Sequence, residues 1–164
     1  MVELPDFLDS RLKEKLPGRE AQALMIPMLA SKQRFSLEAR KDAKPGGVIV
    51  MLYQKDQEWY FQLVQRPDYD GVHAKQMSFP GGKKDASDPD LTFTALREAE
   101  EEIGIKINRQ AVLGQLTDLF LIASNFNVSP TVAWSQDEPK FIADEHEVDE
   151  IVEVRLVDLL DDAL

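Results

Sequence analysis

With 164 residues, 43% of them hydrophobic, the chain is long enough for one globular domain with its own core and too short to suggest two. It has no cysteine, which excludes a disulfide framework and a thiolate metal site, and its formal net charge of −11 argues against a nucleic-acid-binding surface, since that affinity comes from clustered Lys and Arg. No stretch approaches the ~20 apolar residues of a membrane span, and the N-terminus lacks the charged-then-apolar pattern of a signal peptide. A cytoplasmic protein with neither a nucleic-acid nor a membrane partner is the expectation.

In chain order, Pro5 to Leu16 reads as an amphipathic helix with Phe7, Leu8, Leu12 and Leu16 apolar, stopped by Gly18. Arg19 to Leu29 contains a second short helical piece interrupted by Pro27. Ser31 to Pro45 is basic and loop-like (Lys32, Arg34, Arg40, Lys41, Lys44); it is either a packing appendage or a patch that meets a phosphorylated ligand. Gly46 opens the β-rich part. GGVIVMLY and EWYFQLVQR read as a hairpin around Lys55-Asp56-Gln57, and Gln76 to Phe79 reads as a third strand. After a helix come strand-like runs at Ala111–Ile122, Val128–Trp134 and Ile151–Val157, with Asn125 and Asn127 in a loop. Residues 1–45 therefore read as a helical and loop extension, and 46–164 as the core of a single α+β domain.

The stretch from Ser78 to Ile105, SFPGGKKDASDPDLTFTALREAEEEIGI, carries the chemistry. Asp88 is placed as an N-cap, Pro89 as the first helical residue and Gly104 as a C-terminal stop. Leu96, Ala99 and Ile103 share an apolar stripe, while Glu98, Glu101 and Glu102, at i, i+3 and i+4, share another face. A glutamate-rich helix is often just a solvated face. Three crowded carboxylates repel, however, and a hard divalent cation such as Mg²⁺ or Mn²⁺ relieves them at a phosphate-handling site. Gly81-Gly82 lacks the Gly-Lys-Ser/Thr ending of a phosphate-binding P-loop. With only His73 and His146, a histidine-rich metal site is excluded.

Arg97 through Ile105 resembles the Nudix box at every fixed position of Arg-Glu-apolar-any-Glu-Glu-any-Gly-apolar. His73-Ala74-Lys75-Gln76, Phe79-Pro80-Gly81-Gly82 and Thr94-Ala95-Leu96-Arg97-Glu98 are similar to segments of the coenzyme A pyrophosphatase subgroup. The spacer from Gly82 to Arg97 is one residue longer than in the general box, as in that subgroup, and Asp88 stands where the general box has its first glutamate. SNFNVSP (124–130) and EVDEIVEVRLVDLL (147–160) also look like subgroup segments. The chain departs at Gly71, where the subgroup has Arg, and at Lys75, where it has Gly. Subgroup members commonly continue beyond the point matching Leu164, which leaves a shorter form, a trimmed one or a covering second subunit open.

The resemblance implies an α/β/α sandwich with a mixed sheet, and metal-dependent hydrolysis of a diphosphate linkage. Coenzyme A or an acyl derivative is the implied substrate. ADP-ribose, or another small nucleoside diphosphate derivative, is the enzymatic alternative, and a non-catalytic binding domain is the alternative of another class. Glu98, Glu101 and Glu102 are the implied metal ligands, with a carbonyl of Gly81 or Gly82 to complete the shell. Glu101 ligates or orients water, Arg97 holds a carboxylate rotamer, and Glu147 is the candidate general base, with Glu145 and Glu150 in reserve. Arg66, His73, Lys75, Gly81 and Gly82 are the candidate substrate contacts. Proteins of this type are often dimers, and Trp59 and Trp134 offer contact surface for a homodimer.

Overall fold

The computed structural model describes residues 3–24, 38–67 and 75–160. The expected helix at 5–16 is present as α1, Leu4–Arg11. It ends at Arg11, with Leu12 N–H closing the last turn onto the Leu8 carbonyl, short of Pro17 and of Gly18 at φ +57°. Helix α2 spans Arg19–Leu24. The reading of a break at Pro27, and most of the basic segment, lie outside the described residues.

Strands β1 (Lys44–Lys55) and β2 (Glu58–Gln65) form the expected hairpin. Lys55 pairs with Glu58, so the turn is Asp56-Gln57, both at positive φ (51° and 66°) as a tight two-residue turn demands. The two strands stay together for only four residue pairs and then splay apart. Into the gap run β3 (Met77–Ser78), paired with β2, and β4 (Gly81–Lys83), paired with β1. The chain between them is held by Ile49 N–H donating to the Pro80 carbonyl at 2.9 Å.

Helix α3 (Leu91–Ile103) follows. Its N-cap is Asp90, whose carboxylate accepts from Phe93 N–H, a cap worth about 1 kcal/mol. Asp88 does not cap as expected; it is buried and bound to Thr94 and Arg97. Gly104 ends the helix at φ +70°, as read from the sequence. The single strand expected at 111–122 is instead β5 (Val112–Gln115) and β6 (Leu119–Leu121), with a bulge between Val112 and Gly114. Both pair with β7 (Phe126–Ser135), which lies parallel to β1 along ten residue pairs. Strand β8 (Glu150–Arg155) closes the far side of β2, and the chain leaves it in a 3-10 turn at Leu156–Leu160.

Alternation along β1 builds two cores. Ile49, Met51 and Tyr53 face α3, meeting Ala95, Ala99 and Ile103. Leu52 faces the other way with Phe61 and Val132, and there Leu4, Leu8 and Leu12 of the N-terminal helix cover them. The architecture is therefore the expected α/β/α sandwich around a mixed sheet. Trp59 and Trp134 pack partly buried on the α1 side. Helix α3 sits so close to the sheet that a Cβ on Gly47 would lie 2.3 Å from the Leu91 carbonyl oxygen. No helix among the described residues is long and apolar enough to cross a membrane.

Candidate active site

The short gap between α3 and β4 decides where the acidic side chains go. Glu98 and Glu102 are one helical turn apart on the face turned toward Gly81 and Gly82. Glu102 is almost completely buried, 1% exposed, and its carboxylate accepts from Gly81 N–H at 2.8 Å. Glu98 occupies space that only a glycine leaves free: a Cβ on Gly82 would stand 2.5 Å from its Oε2. Gly81 has φ +151° and its own Cβ would meet the Gly47 carbonyl at 2.3 Å, so neither glycine has room for a side chain.

A third carboxylate comes from the loop before β8. Asp144 N–H donates to the Glu102 carbonyl, Ile142 N–H to that of Ile103, and Glu147 N–H to that of Asp144. Val148 anchors the same turn in the core. Carboxylate oxygens of Glu98, Glu102 and Glu147 thereby lie within 4.8 Å of one another. Among the described residues no other group of three metal-ligating side chains comes together, and neither Glu145 nor Glu150 belongs to this one. Glu101 stands apart from it. Its carboxylate, over half exposed, is held at 2.6 Å by Arg97.

Arg97 ties the helix to the approach. Its guanidinium binds both carboxylate oxygens of Asp88, one of Glu98 at 2.9 Å and the carbonyl of Lys83. Arg97 thus contacts three carboxylates, Asp88, Glu98 and Glu101, and not Glu101 alone. Arg66 lies 3.6 Å from a Glu102 oxygen and donates to the Gly81 carbonyl at 3.3 Å.

Electrostatics follow from this packing. Burial pushes the Glu102 carboxyl up to about 7, against the pull of Gly81 N–H and Arg66, while Glu98 and Glu147 add repulsion. Burial also raises Glu98, opposed by Arg97 beside it. The donors are all hard oxygens, crowded and under-compensated, which is the chemistry a divalent cation such as Mg²⁺ or Mn²⁺ fits. Gly82→Ala tests this packing. It is expected to weaken Mn²⁺ binding at least about tenfold with little change in melting temperature, because the carboxylate can swing away from the new methyl. Unchanged Mn²⁺ affinity would show that Glu98 does not need that space.

Beside the carboxylates opens a cleft of about 280 Å³. Val48, Phe79, Leu121, Phe126 and Val128 make its apolar wall, and Arg66, Lys83 and the two glycines its polar side. Of the substrate contacts expected from sequence, Arg66, Gly81 and Gly82 line it. Lys75 sits in the turn before β3 at φ +56°, its N–H bonded to the Arg66 carbonyl, and does not line it. His73 lies outside the described residues. Sequence alone marks neither Lys83 nor Phe126 as a site residue. The one available signal for Phe126 was its place in SNFNVSP.

A NUDIX domain model matches residues 43–163. An uncharacterized Nudix hydrolase NudL of Yersinia enterocolitica is 44% identical over 98 residues, covering 60% of this chain and 50% of the relative. Its Yersinia pestis counterpart is 40% identical over the same length, 60% and 49%. The chain spans about half the length of these curated relatives. Among solved structures, the NUDIX domain of Shewanella oneidensis NrtR, complexed with ADP ribose, aligns with a TM-score of 0.56 at 19% identity, covering 86% of each chain. A MutT protein from Methanosarcina mazei aligns with a TM-score of 0.55 at 24% identity, covering 76% of this chain and 84% of the other. At these identities the structural likeness speaks to the fold alone.

Proposed function

The chain belongs to the NUDIX domain family, and from that premise we propose that it hydrolyses a diphosphate linkage in a small nucleoside-diphosphate-linked substrate, with coenzyme A or an acyl-coenzyme A preferred. The products would be phosphopantetheine and adenosine bisphosphate. The observation that carries the reading is the convergence of Glu98, Glu102 and Glu147 beside an open cleft. A mere binding domain has no reason to crowd three carboxylates, two of them desolvated. The preference for coenzyme A is supported by the Phe79–Gly82 and Thr94–Glu98 segments and by the long spacer between them.

In this reading Glu98, Glu102 and Glu147 hold the divalent cation, and Glu101, outside that cluster, holds Arg97. When bound, the cation neutralises diphosphate charge and lowers the pKa of water. Glu147, the exposed member, takes the proton of the attacking water in this reading. Arg97 keeps Glu98 aligned, and Arg66 offers its guanidinium to phosphate oxygens at the cleft wall. Residues 46–164 are the catalytic core and 1–45 the extension.

The test is calorimetric titration with Mg²⁺ and Mn²⁺, followed by product chromatography on coenzyme A, acyl-coenzyme A, ADP-ribose and other nucleoside diphosphate derivatives. Cleavage of coenzyme A at the diphosphate is the expected result. Cleavage of ADP-ribose alone replaces the substrate assignment, and metal binding with no product from any compound leaves a non-catalytic binding domain.

A further inference from the structure

The chain carries a net charge of −11, and most of its described cations are matched by carboxylates: Lys55, Arg66, Arg97, Arg109 and Arg155 each sit in an ion pair. One region breaks the pattern. At the start of β1 and the end of β4, residues 40–44 and 83–85 bring Arg40, Lys41, Lys44, Lys83 and Lys84 together against only Asp42 and Asp85. Lys84 turns inward, its Nζ 2.6 Å from the Asp88 carbonyl. Asp42 is engaged by Asn125. Among the described residues no carboxylate lies within ion-pair distance of Arg40, Lys41, Lys44 or Lys83.

Two of these lysines flank the cleft. In the β1–β4 pairing Lys83 stands opposite Gly46, and in the β1–β7 pairing Lys44 stands beside Phe126. Paired residues, and residues two apart on one strand, share a face, so Lys44, Phe126 and Lys83 rise on the same side of the sheet around Gly46. The aromatic ring lies over that glycine, where a Cβ would meet it at 3.2 Å, and the Lys44 ammonium is 5.6 Å from the ring centroid. Diagonal neighbours on paired strands are about 7–8 Å apart, close enough for two long flexible side chains to reach one anion. Phe126 and Lys83 both line the cleft, and Gly82, the residue before Lys83, backs Glu98.

We propose that Lys44 and Lys83 form a second anion subsite, which takes a phosphate monoester carried by the substrate in addition to its diphosphate. The inference deepens the hydrolase reading and rests on it for the identity of the ligand. It separates the candidate substrates, because coenzyme A carries such a phosphate on its ribose whereas ADP-ribose and dephospho-coenzyme A do not. The basic segment that the sequence leaves as either appendage or ligand patch thereby acquires a role for its last member.

Binding tests the subsite without turnover. In Mg²⁺, adenosine 3′,5′-bisphosphate and AMP are titrated calorimetrically against the protein, Lys44→Met/Lys83→Met and Lys44→Arg/Lys83→Arg. The bisphosphate is expected to bind roughly tenfold tighter than AMP, with the preference shrinking from about 0.05 M to 0.5 M salt. The Met pair abolishes the preference and the Arg pair keeps it, at unchanged melting temperature. Equal affinity for the two nucleotides, no binding of the bisphosphate, or a preference that survives in the Met pair overturns the proposal. In kinetics the same preference appears as a higher kcat/KM for coenzyme A than for dephospho-coenzyme A. Equal rates on both would sink the subsite and leave the hydrolase intact. A bisphosphate preference in a protein that cleaves nothing would sink the hydrolase and leave the subsite.

Discussion

Glu102→Gln is expected to cut kcat/KM by roughly 10²–10³-fold, the loss typical of removing one electrostatic contributor from a preorganised site, without unfolding the protein. The amide oxygen of Gln can still accept from Gly81 N–H, so the 2.8 Å contact that seats the side chain survives. What disappears is a charge in a buried position beside two other carboxylates. The metal-free protein is expected to gain stability from the substitution at neutral and alkaline pH. The sign follows from linkage: the Glu102 carboxyl rises from 4.5 to about 7 on folding, so the folded state binds the proton more tightly than the unfolded one. Stability of the metal-free wild type therefore falls as pH climbs from about 4.5 through 7, and the variant lacks that decline. Metal affinity runs the other way, increasing with pH up to about 7 as the ligand loses its proton. Melting curves of both proteins across this pH range, with and without Mn²⁺, check the whole set. Full activity in the variant, or a metal-free pH profile unchanged by it, would remove Glu102 from the metal site.

Arg97→Met is expected to be the most destabilising single change near the site, at about 3 kcal/mol. Asp88 is completely buried and depends on the guanidinium; the Arg97 contact, more than the bonds from Asp85 N–H and the Thr94 hydroxyl, holds its carboxyl down near 2 despite burial. Removing the arginine leaves a buried charge with two neutral donors. The reverse deletion, Asp88→Asn, costs less, about 1–2 kcal/mol, because Arg97 is one-fifth exposed and keeps Glu98 and Glu101. A depressed carboxyl contributes stability above its ordinary 3.8 and loses it as pH falls through about 2, so acid unfolding of Arg97→Met should begin at higher pH than in the wild type. Arg97→Lys is not expected to rescue, since one ammonium cannot span the separate oxygens that the fork reaches. Denaturant titrations at pH 7 and acid melts supply the comparison. Losses under about 1 kcal/mol in both Arg97→Met and Asp88→Asn would mean the cluster is surface decoration.

Much of this molecule is local in origin. The β1–β2 hairpin, the stop at Gly104 and the pairing of Glu98 with Glu102 come from alternation, turn residues and the 3.6-residue period, all of which act over a few positions. Because these rules are local, they do not reach what depends on distant partners. Asp88 is read as the cap from the sequence; Arg97 takes it into the interior, and Asp90 caps the helix instead. Glu101 shares a helix face with Glu98 and Glu102 by periodicity, yet Arg97 one turn earlier draws it outward.

By itself the amino-acid sequence determined the fold class, the acidic helix and the glycine pair that faces it. Only the tertiary structure decided which loop acid joins them and where a substrate would lie. The resemblance favours Glu147 over Glu145 and Glu150, but residue type alone does not separate them. Asp144 docking on the end of α3, with Val148 sunk in the core, points Glu147 at the cluster. The cleft, likewise, draws Val48, Phe79 and Phe126 from separate stretches, and they meet because β7 lies parallel to β1 while β3 and β4 wedge beside it. Periodicity constrains neighbours along a chain. Contacts closed across some eighty residues depend on how whole layers pack.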